Sequence, residues 1–340
     1  MVTMQDVARQ AGVSVMTVSN VINGRPHVRD ATRDRVLTAI DDLGYAVNAA
    51  ARNLRQGRTG VIGLAIPDID RPYFGLLSEL IIERAAADGY EVVIEHTGAD
   101  RERELGALRH SRLRSYDGLI ISAVNLSGAD AALFRGELPV VVLGERSYDE
   151  KVDHVVMPNE EGGALVARHL LAEGATSLAM IGGRYDPERP DWAGNLRAAG
   201  FVEEAAEAGV TVDERLMIEC EYSMPGGREA VARLLDTGLR FDGLFCATDV
   251  LAIGAIRGLR DRGIQVPDDV LVAGFDDVPL AEYTIPAVTS LAPDHRGMVD
   301  AALSMLLSRI AGERSAGDYR EHISAPRLVA RESTNGAARS

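Results

Sequence analysis

The chain has 340 residues, 46% of them hydrophobic and 26% charged, and a net charge of −15. That length exceeds a typical single domain, so at least two folding units are expected, in a globular chain able to bury a large core. No apolar run reaches eighteen residues, which excludes a membrane-spanning helix. The opening Met1-Val2-Thr3-Met4-Gln5-Asp6 carries neither the basic nor the apolar region of a secretory signal, so a cytoplasmic location is expected. Charge is divided unevenly. Residues 1–58 hold eight arginines against five acids, a balance of +3, which leaves −18 for residues 59–340. A basic head that meets phosphate and an acidic body that stays off it would divide this way. Cys220 and Cys246 form no close-spaced motif and are expected as free thiols.

Three short helices are predicted at the start. Thr3 is placed to cap a helix over Met4–Gln10, with Gln5 and Asp6 favouring its positive end and Val7, Ala8 and Ala11 on its inner face. Ala11-Gly12-Val13-Ser14 reads as a tight turn, with Gly12 free to take a positive φ. Ser14 caps a second helix with Val18, Val21 and Ile22 as its apolar stripe, and Asn23-Gly24 ends it. A third helix spans about Asp30 to Leu43, with Val36, Leu37, Ile40 and Leu43 closing the core and Gly44 terminating it. Ala8, Gly12 and Val18 let the first two helices cross closely, which is helix-turn-helix geometry. The plain alternative is a three-helix bundle used for protein contact.

The ordered segments Met4-Gln5-Asp6-Val7-Ala8, Ala11-Gly12-Val13-Ser14 and Thr17-Val18-Ser19-Asn20-Val21-Ile22-Asn23-Gly24 resemble the signature of the lactose/galactose repressor (LacI/GalR) family of transcriptional regulators. The likeness continues through Thr32-Arg33-Asp34-Arg35-Val36, Leu43-Gly44-Tyr45 and Asn48 to Ala51-Arg52-Asn53-Leu54. The resemblance implies double-stranded operator DNA as a partner. Val15, Met16 and Asn20 would face base edges in the major groove, where Asn can pair with adenine and the apolar pair can touch thymine methyls. Many members have Arg or His where Asn20 stands, so the operator sequence stays open. Thr17, Ser19, Asn23 and His27 would contact phosphates, with Thr3 and Ser14 at the helix starts in the same set. His27 reads equally as a loop histidine without a DNA role. Residues 47–58 are expected as a hinge. Its helix, with Asn48 and Ala51, is too short to be stable alone in water, and in the family it folds on the operator. Leu54 would wedge between base pairs in the minor groove.

From Val61 onward short apolar runs alternate with amphipathic stretches. Strands are predicted at Val61–Pro67, Glu91–His96, Gly118–Ala123, Pro139–Glu145, His154–Pro158, Leu178–Gly182, Gly243–Thr248, Val270–Asp276 and Thr289–Ala292. Helices between them include Tyr73–Ala87, Glu160–Glu173, Asn195–Ala208, Val250–Arg262 and Asp294–Ile310. Alternation of this kind calls for parallel sheets covered on both faces. The expected fold is therefore an all-α helix-turn-helix head (1–46) and an α/β body (59–333) of periplasmic-binding-protein-like (type I) architecture. Its two doubly wound parallel-sheet lobes are placed at about 59–158 plus 288–320 and 159–287 plus 321–333, and 334–340 is read as a polar tail.

In this architecture ligands bind between lobes, at the carboxyl ends of strands. The candidates there are Asp68, Tyr73, Phe74, Ser122, Glu145, Arg146, Trp192, Arg197, Thr248, Asp249, Asp276 and His295. The family resemblance picks out Arg197 in Arg197-Ala198-Ala199-Gly200-Phe201, then Thr248-Asp249, then Gly274-Phe275-Asp276-Asp277 as effector loops. Carboxylates and arginine can hold vicinal hydroxyls while an aromatic face covers the C–H side of a ring, which fits a sugar or small glycoside. Nucleobases and phosphosugars are the alternatives, and Tyr73 or Phe74 could equally be core. No nucleophile elbow, phosphate loop or metal-ligand spacing occurs, and Gly162-Gly163 and Gly182-Gly183 are weak signals, so neither an enzyme nor a cofactor is expected. A soluble sugar receptor sharing the body fold is the rival reading. The resemblance further implies a homodimer, in which effector closes the cleft and separates the paired hinge helices. No terminal leucine heptad is present to build a tetramer.

Overall fold

The computed structural model describes the chain except residues 1, 23–26, 46–57, 111–115, 137, 146–147, 149–150, 187, 189–191, 316 and 336–340. Five expected site residues, Asn23, Asn48, Ala51, Leu54 and Arg146, lie outside the described residues, as does nearly all of the hinge. The chain divides into two compact units, Met1–Thr59 and Gly60–Ser340. Among the described residues no helix is long and apolar enough to cross a membrane.

The first unit holds α1 (Met4–Ala11), α2 (Val15–Ile22) and α3 (Asp30–Leu43). A reciprocal cap starts α1: the Asp6 amide donates to Thr3 Oγ1 (3.3 Å) and the Thr3 amide donates to Asp6 Oδ2 (3.0 Å). Gly12 ends it in the left-handed conformation, at φ 64°. At α2 the Thr17 amide donates to Ser14 Oγ (3.1 Å). Val7, Ala8, Ala11, Val18, Val21, Val36 and Ala39 form a core of small side chains, against which Ile40 and Leu43 pack. Leu37, expected in that core, is 46% exposed. The buried face of α3 runs through 36, 39, 40 and 43, and position 37 lies a helical step of about 100° from 36 on the rim.

In the second unit β1 (Val61–Ile66), β2 (Glu91–His96), β3 (Gly118–Ser122), β4 (Val140–Leu143), β5 (Asp153–Val156) and β11 (Glu321–Ile323) make the first sheet, in the order β2-β1-β3-β4-β5-β11. The second sheet runs β7-β6-β8-β9-β10-β12, with β6 (Leu178–Ile181), β7 (Met217–Ile218), β8 (Gly243–Cys246), β9 (Leu271–Phe275), β10 (Thr289–Pro293) and β12 (Pro326–Val329). All neighbours are parallel except β10 and β12. Among the described residues seven α-helices flank these sheets: α4 (Pro72–Ala87), α5 (Arg101–His110), α6 (Asn159–Ala172), α7 (Ala193–Glu207), α8 (Met224–Asp236), α9 (Asp249–Asp261) and α10 (His295–Ile310). Central strands covered on both faces carry apolar side chains at nearly every position, as in β4, β6 and β8. The paired glycines now have a packing role. A Cβ at Gly163 would overlap the Arg197 carbonyl, and one at Gly200 would overlap that of Glu160, so α6 and α7 meet backbone to backbone.

Three expectations are corrected. The late strand β10 joins the second sheet, with Thr289 opposite Ala273, and not the first lobe. The stretch between β9 and β10 matches the dozen or so residues that a parallel connection needs. Only afterwards does the chain cross over, so that α10 packs on β3, β4, β5 and α4 of the first lobe. The segment 321–333 is divided likewise, β11 completing the first sheet and β12 the second. Thr334, placed in the polar tail, is buried, and its hydroxyl bonds Thr289 Oγ1 (2.7 Å) and His169 Nε2 (2.8 Å).

Candidate functional site

Between the two lobes of the body lies a cavity of about 530 Å³. Its first-lobe wall comes from strand ends and the start of α4: Asp68 after β1, Tyr73 and Phe74 in the first turn of α4, Ser122 closing β3, and Glu145 beyond β4. Opposite stand Trp192 and Arg197 at the start of α7, Thr248 after β8, and Asp276 after β9. Nine expected residues are thus brought together.

Arg197 is 3% exposed and tightly braced. Nε donates to Asn159 Oδ1 (2.7 Å), Nη1 donates to the Ala247 carbonyl, and Nη2 donates toward Met157 Sδ (3.1 Å). The guanidinium carbon lies over the Phe275 ring, 3.6 Å from its centroid, with Asp276 Oδ1 3.8 Å from Nη2. A buried cation needs such partners to be tolerated. Asp276 takes φ 103° and Asp277 φ 48°, conformations that L-residues rarely hold and that cost of order 1–3 kcal/mol each. Burial pushes the Asp276 carboxyl up to about 7, with Arg197 and Arg71 pulling it down and Glu145 pushing it up. Thr248 both lines the cavity and caps α9, where the Leu251 amide donates to its hydroxyl (3.4 Å).

Two expected residues do not face the cavity. Asp249 is buried at the start of α9, but its carboxylate turns under the β9–β10 connection and accepts from the Val278 amide (2.8 Å) and Ser290 Oγ (2.5 Å). Gly274 makes room for it, since a Cβ there would strike Asp249 Oδ1. His295 packs against Tyr73 with its ring tilted, centroids 5.8 Å apart, and forms no part of the wall. The wall also contains residues not anticipated, chiefly Arg71, His96, Met157 and Tyr222. Arg71 Nε lies 2.9 Å from Asp68 Oδ2, and its guanidinium sits 5.5 Å from the Tyr222 ring centroid, reaching from the first lobe to the second. Tyr222 faces Trp192 at 6.3 Å and donates to the Gly182 carbonyl (2.7 Å). It follows β7, a two-residue strand with almost no periodic signal, whereas Arg71 stood in the same strand-end segment as Asp68 and could have been found.

In the head, α2 turns Val18 and Val21 inward and leaves Val15 and Met16 on the surface, Met16 at 69% exposure. Asn20 is one turn further along the Met16 side, half-buried. The Thr3 hydroxyl is bonded to Asp6 (2.7 Å), and those of Ser14 and Thr17 to each other (2.9 Å), so all three are already engaged in capping. Ser19 is half-buried and His27 exposed.

A helix-turn-helix unit and a two-lobed body with a polar, aromatic-lined cleft define a DNA-binding regulator that carries a ligand site. Residues 3–48 match the family "Bacterial regulatory proteins, lacI family", and residues 167–334 match a periplasmic binding protein-like domain. The chain is 33% identical to the HTH-type transcriptional regulator DegA of Bacillus subtilis over 98% of both chains. It is 32% identical to the HTH-type transcriptional repressor PurR of Erwinia tasmaniensis, over 98% of this chain and 97% of that one. Among solved structures, a LacI-family regulator from Sanguibacter keddieii is 40% identical with a TM-score of 0.75, covering 82% of this chain and 100% of that one. The lac repressor dimer bound to operator and the anti-inducer ONPF is 27% identical with a TM-score of 0.84, covering 98% and 99%. A CelR–cellobiose complex is 27% identical with a TM-score of 0.72, covering 98% and 100%. The chain belongs to the LacI family: it is a DNA-binding transcriptional regulator, not an enzyme.

Proposed function

We propose that this regulator is a repressor whose operator affinity is set by a sugar or small glycoside held in the cleft. One observation carries the reading: Asp68, Glu145, Asp276 and Arg197 line a cavity whose wall also carries the aromatic rings of Tyr73, Phe74, Trp192 and Tyr222. Carboxylates and a guanidinium accept from and donate to neighbouring hydroxyls, while flat rings cover the apolar face of a pyranose. The cellobiose held by the related CelR supports this ligand class. In the head, Val15, Met16 and Asn20 read base edges, and Thr17, Ser19, Asn23 and His27 set register on phosphates. Thr3 and Ser14 contribute through the helix starts they cap. Residues 47–58 act as the hinge, Asn48 and Ala51 lying on its DNA side and Leu54 entering the minor groove. Two copies of the chain pair on a near-palindromic site, and ligand and DNA disfavour one another through a coupling of about 1–3 kcal/mol.

The test is a gel shift on DNA from upstream of the protein's own gene, with cellobiose, ribose, other mono- and disaccharides, phosphosugars and purine bases added separately. Release or tightening by a neutral sugar is expected. A response confined to a purine base or phosphosugar overturns the sugar assignment, and no retention of any DNA overturns the head assignment. Leu54→Ala should weaken operator binding about tenfold or more while leaving sugar affinity of the free protein within a factor of two. Equal loss of both would remove Leu54 from the DNA interface.

A further inference from the structure

Arg331, Glu332, Ser333 and Thr334 run behind the connection between β9 and β10, the one that carries Asp276 at its start. The Arg331 amide donates to Thr289 Oγ1 (2.8 Å) and its Nη1 donates to the Val288 carbonyl (2.9 Å). Its Nη2 lies 2.7 Å from Asp277 Oδ1, and both side chains are largely shielded, at 17% and 14% exposure. Glu332 accepts from the Ala287 amide (2.9 Å), and Ser333 Oγ accepts from the Thr289 amide (2.8 Å) while donating to the Val272 carbonyl (2.6 Å).

The turn held by this segment is the strained one. Asp276 and Asp277 are consecutive non-glycine residues at positive φ. Such backbone persists only where its surroundings over-determine it. Here the Asp276 amide donates to the Leu291 carbonyl (2.9 Å), the Asp277 amide to Ser290 Oγ (2.9 Å) and the Val278 amide to Asp249 Oδ2 (2.8 Å). These bonds fix the backbone from one side. The ion pair with Arg331 fixes the Asp277 side chain from the other, from a residue that no strand-end reasoning would reach.

We propose that Arg331 is a positioning residue for the cleft: through Asp277 it holds the turn that aims the Asp276 carboxylate at the ligand. The proposal rests on Asp276 being a ligand group, as argued above. Arg331 itself touches no ligand. Without it, the turn relaxes toward ordinary φ and Asp276 gains access to water, while the sheet behind it stays intact.

The test needs no sugar. Trp192 is the single tryptophan of the chain and shares the cavity with Asp276. Its fluorescence is followed against pH in the full-length protein, each variant being compared with the same variant carrying Asp276→Asn, which subtracts the response of every other group. The charged and titratable groups facing Asp276 are Arg197, Glu145, Arg71, Asp249, Tyr73 and Tyr222. The wild-type midpoint is expected near 7, where burial places Asp276. Arg331→Met should move it down by about one unit or more, and Arg331→Lys should restore most of the shift. An unmoved midpoint in folded Arg331→Met overturns the proposal. If that variant does not fold, Asp277→Asn, which leaves Arg331 bonded to Val288, is read the same way. Should Trp192 be silent in this range, amide exchange over 275–279 decides. Exchange about tenfold faster in Arg331→Met, with β1 amides unchanged, supports the role, and equal rates overturn it. Failure of either readout leaves the sugar assignment untouched, and failure of the sugar screen leaves this one standing.

Discussion

Head and body place their working groups in opposite ways. In the head the buried core among the described residues is built of small side chains, Val7, Ala8, Val18, Val21 and Val36 among them, with Ile40 and Leu43 packed against it, and the residues that would read DNA stand on the outside of α2. In the body the working groups point inward, Arg197 at 3% and Asp276 at 6% exposure. An exposed site asks little of its surroundings, because water satisfies whatever DNA does not. A buried polar site must be bonded from behind. The body accordingly carries a supporting layer, with Asn159 under Arg197 and Asp249 and Ser290 under the Asp276 turn.

This contrast can be broken or sharpened by substitution. Val18→Asp places a carboxylate in the head's small core and should unfold that unit, lowering operator affinity by roughly a thousandfold or more. Calorimetry should show the body's melting transition in place, and its loss would mean that the two units do not fold independently. Arg197→Ala removes the cation from Asn159, Ala247 and Asp276 and should weaken sugar binding by about a hundredfold, near 3 kcal/mol, without abolishing DNA binding. Operator complexes of this variant should no longer respond to sugar in a gel shift, and persistent response would move the site elsewhere. Asn20→Ala should reduce affinity for the specific operator by about 1–3 kcal/mol and affinity for random DNA within twofold, as competition titrations would show. Equal losses on both would make Asn20 a phosphate contact.

The smallest effect is a pH dependence of the body. Because burial raises Asp276 to about 7, its carboxyl becomes protonated as pH falls through that value and stops being a pure acceptor. Sugar affinity should fall by up to about tenfold per pH unit below 7, measured by titration calorimetry, and Asp276→Asn should flatten the profile. The stability term has the opposite slope. A carboxyl raised in the folded state favours the fold when protonated, so its contribution is fully present below the ordinary carboxylate range and is lost as pH rises through about 7.

Much of this was legible in the residues. Helix capping by Thr3 and Ser14, the stops at Gly12 and Gly44, and the stripe Val18–Val21 all act over one or two turns, so the head could be written down from local pattern. The nine strands anticipated in the body appear as well, the central ones because an apolar run shielded on both faces needs no partner to be recognised. Leu37 was misplaced because it lies about 100° round the helix from Val36, beyond the arc that Ala39, Ile40 and Leu43 share with it. Tyr222 was missed because a two-residue strand has no period.

What the sequence determined by itself, then, was the kind of each element and the set of strand ends where chemistry could gather. Tertiary structure alone decided which sheet received β10, which way the chain crossed between lobes, and which strand-end acid faced the cavity. Asp249 and Asp276 look alike in sequence, each at the carboxyl end of a strand beside another effector-loop residue. One turns under the sheet connection and the other into the cleft, because Gly274 leaves space for the first and a positive φ swings the second outward. Arg331 is the extreme case: its partner Asp277 is brought to it only by the antiparallel pairing of β12 with β10, a contact between distant segments that no local pattern encodes.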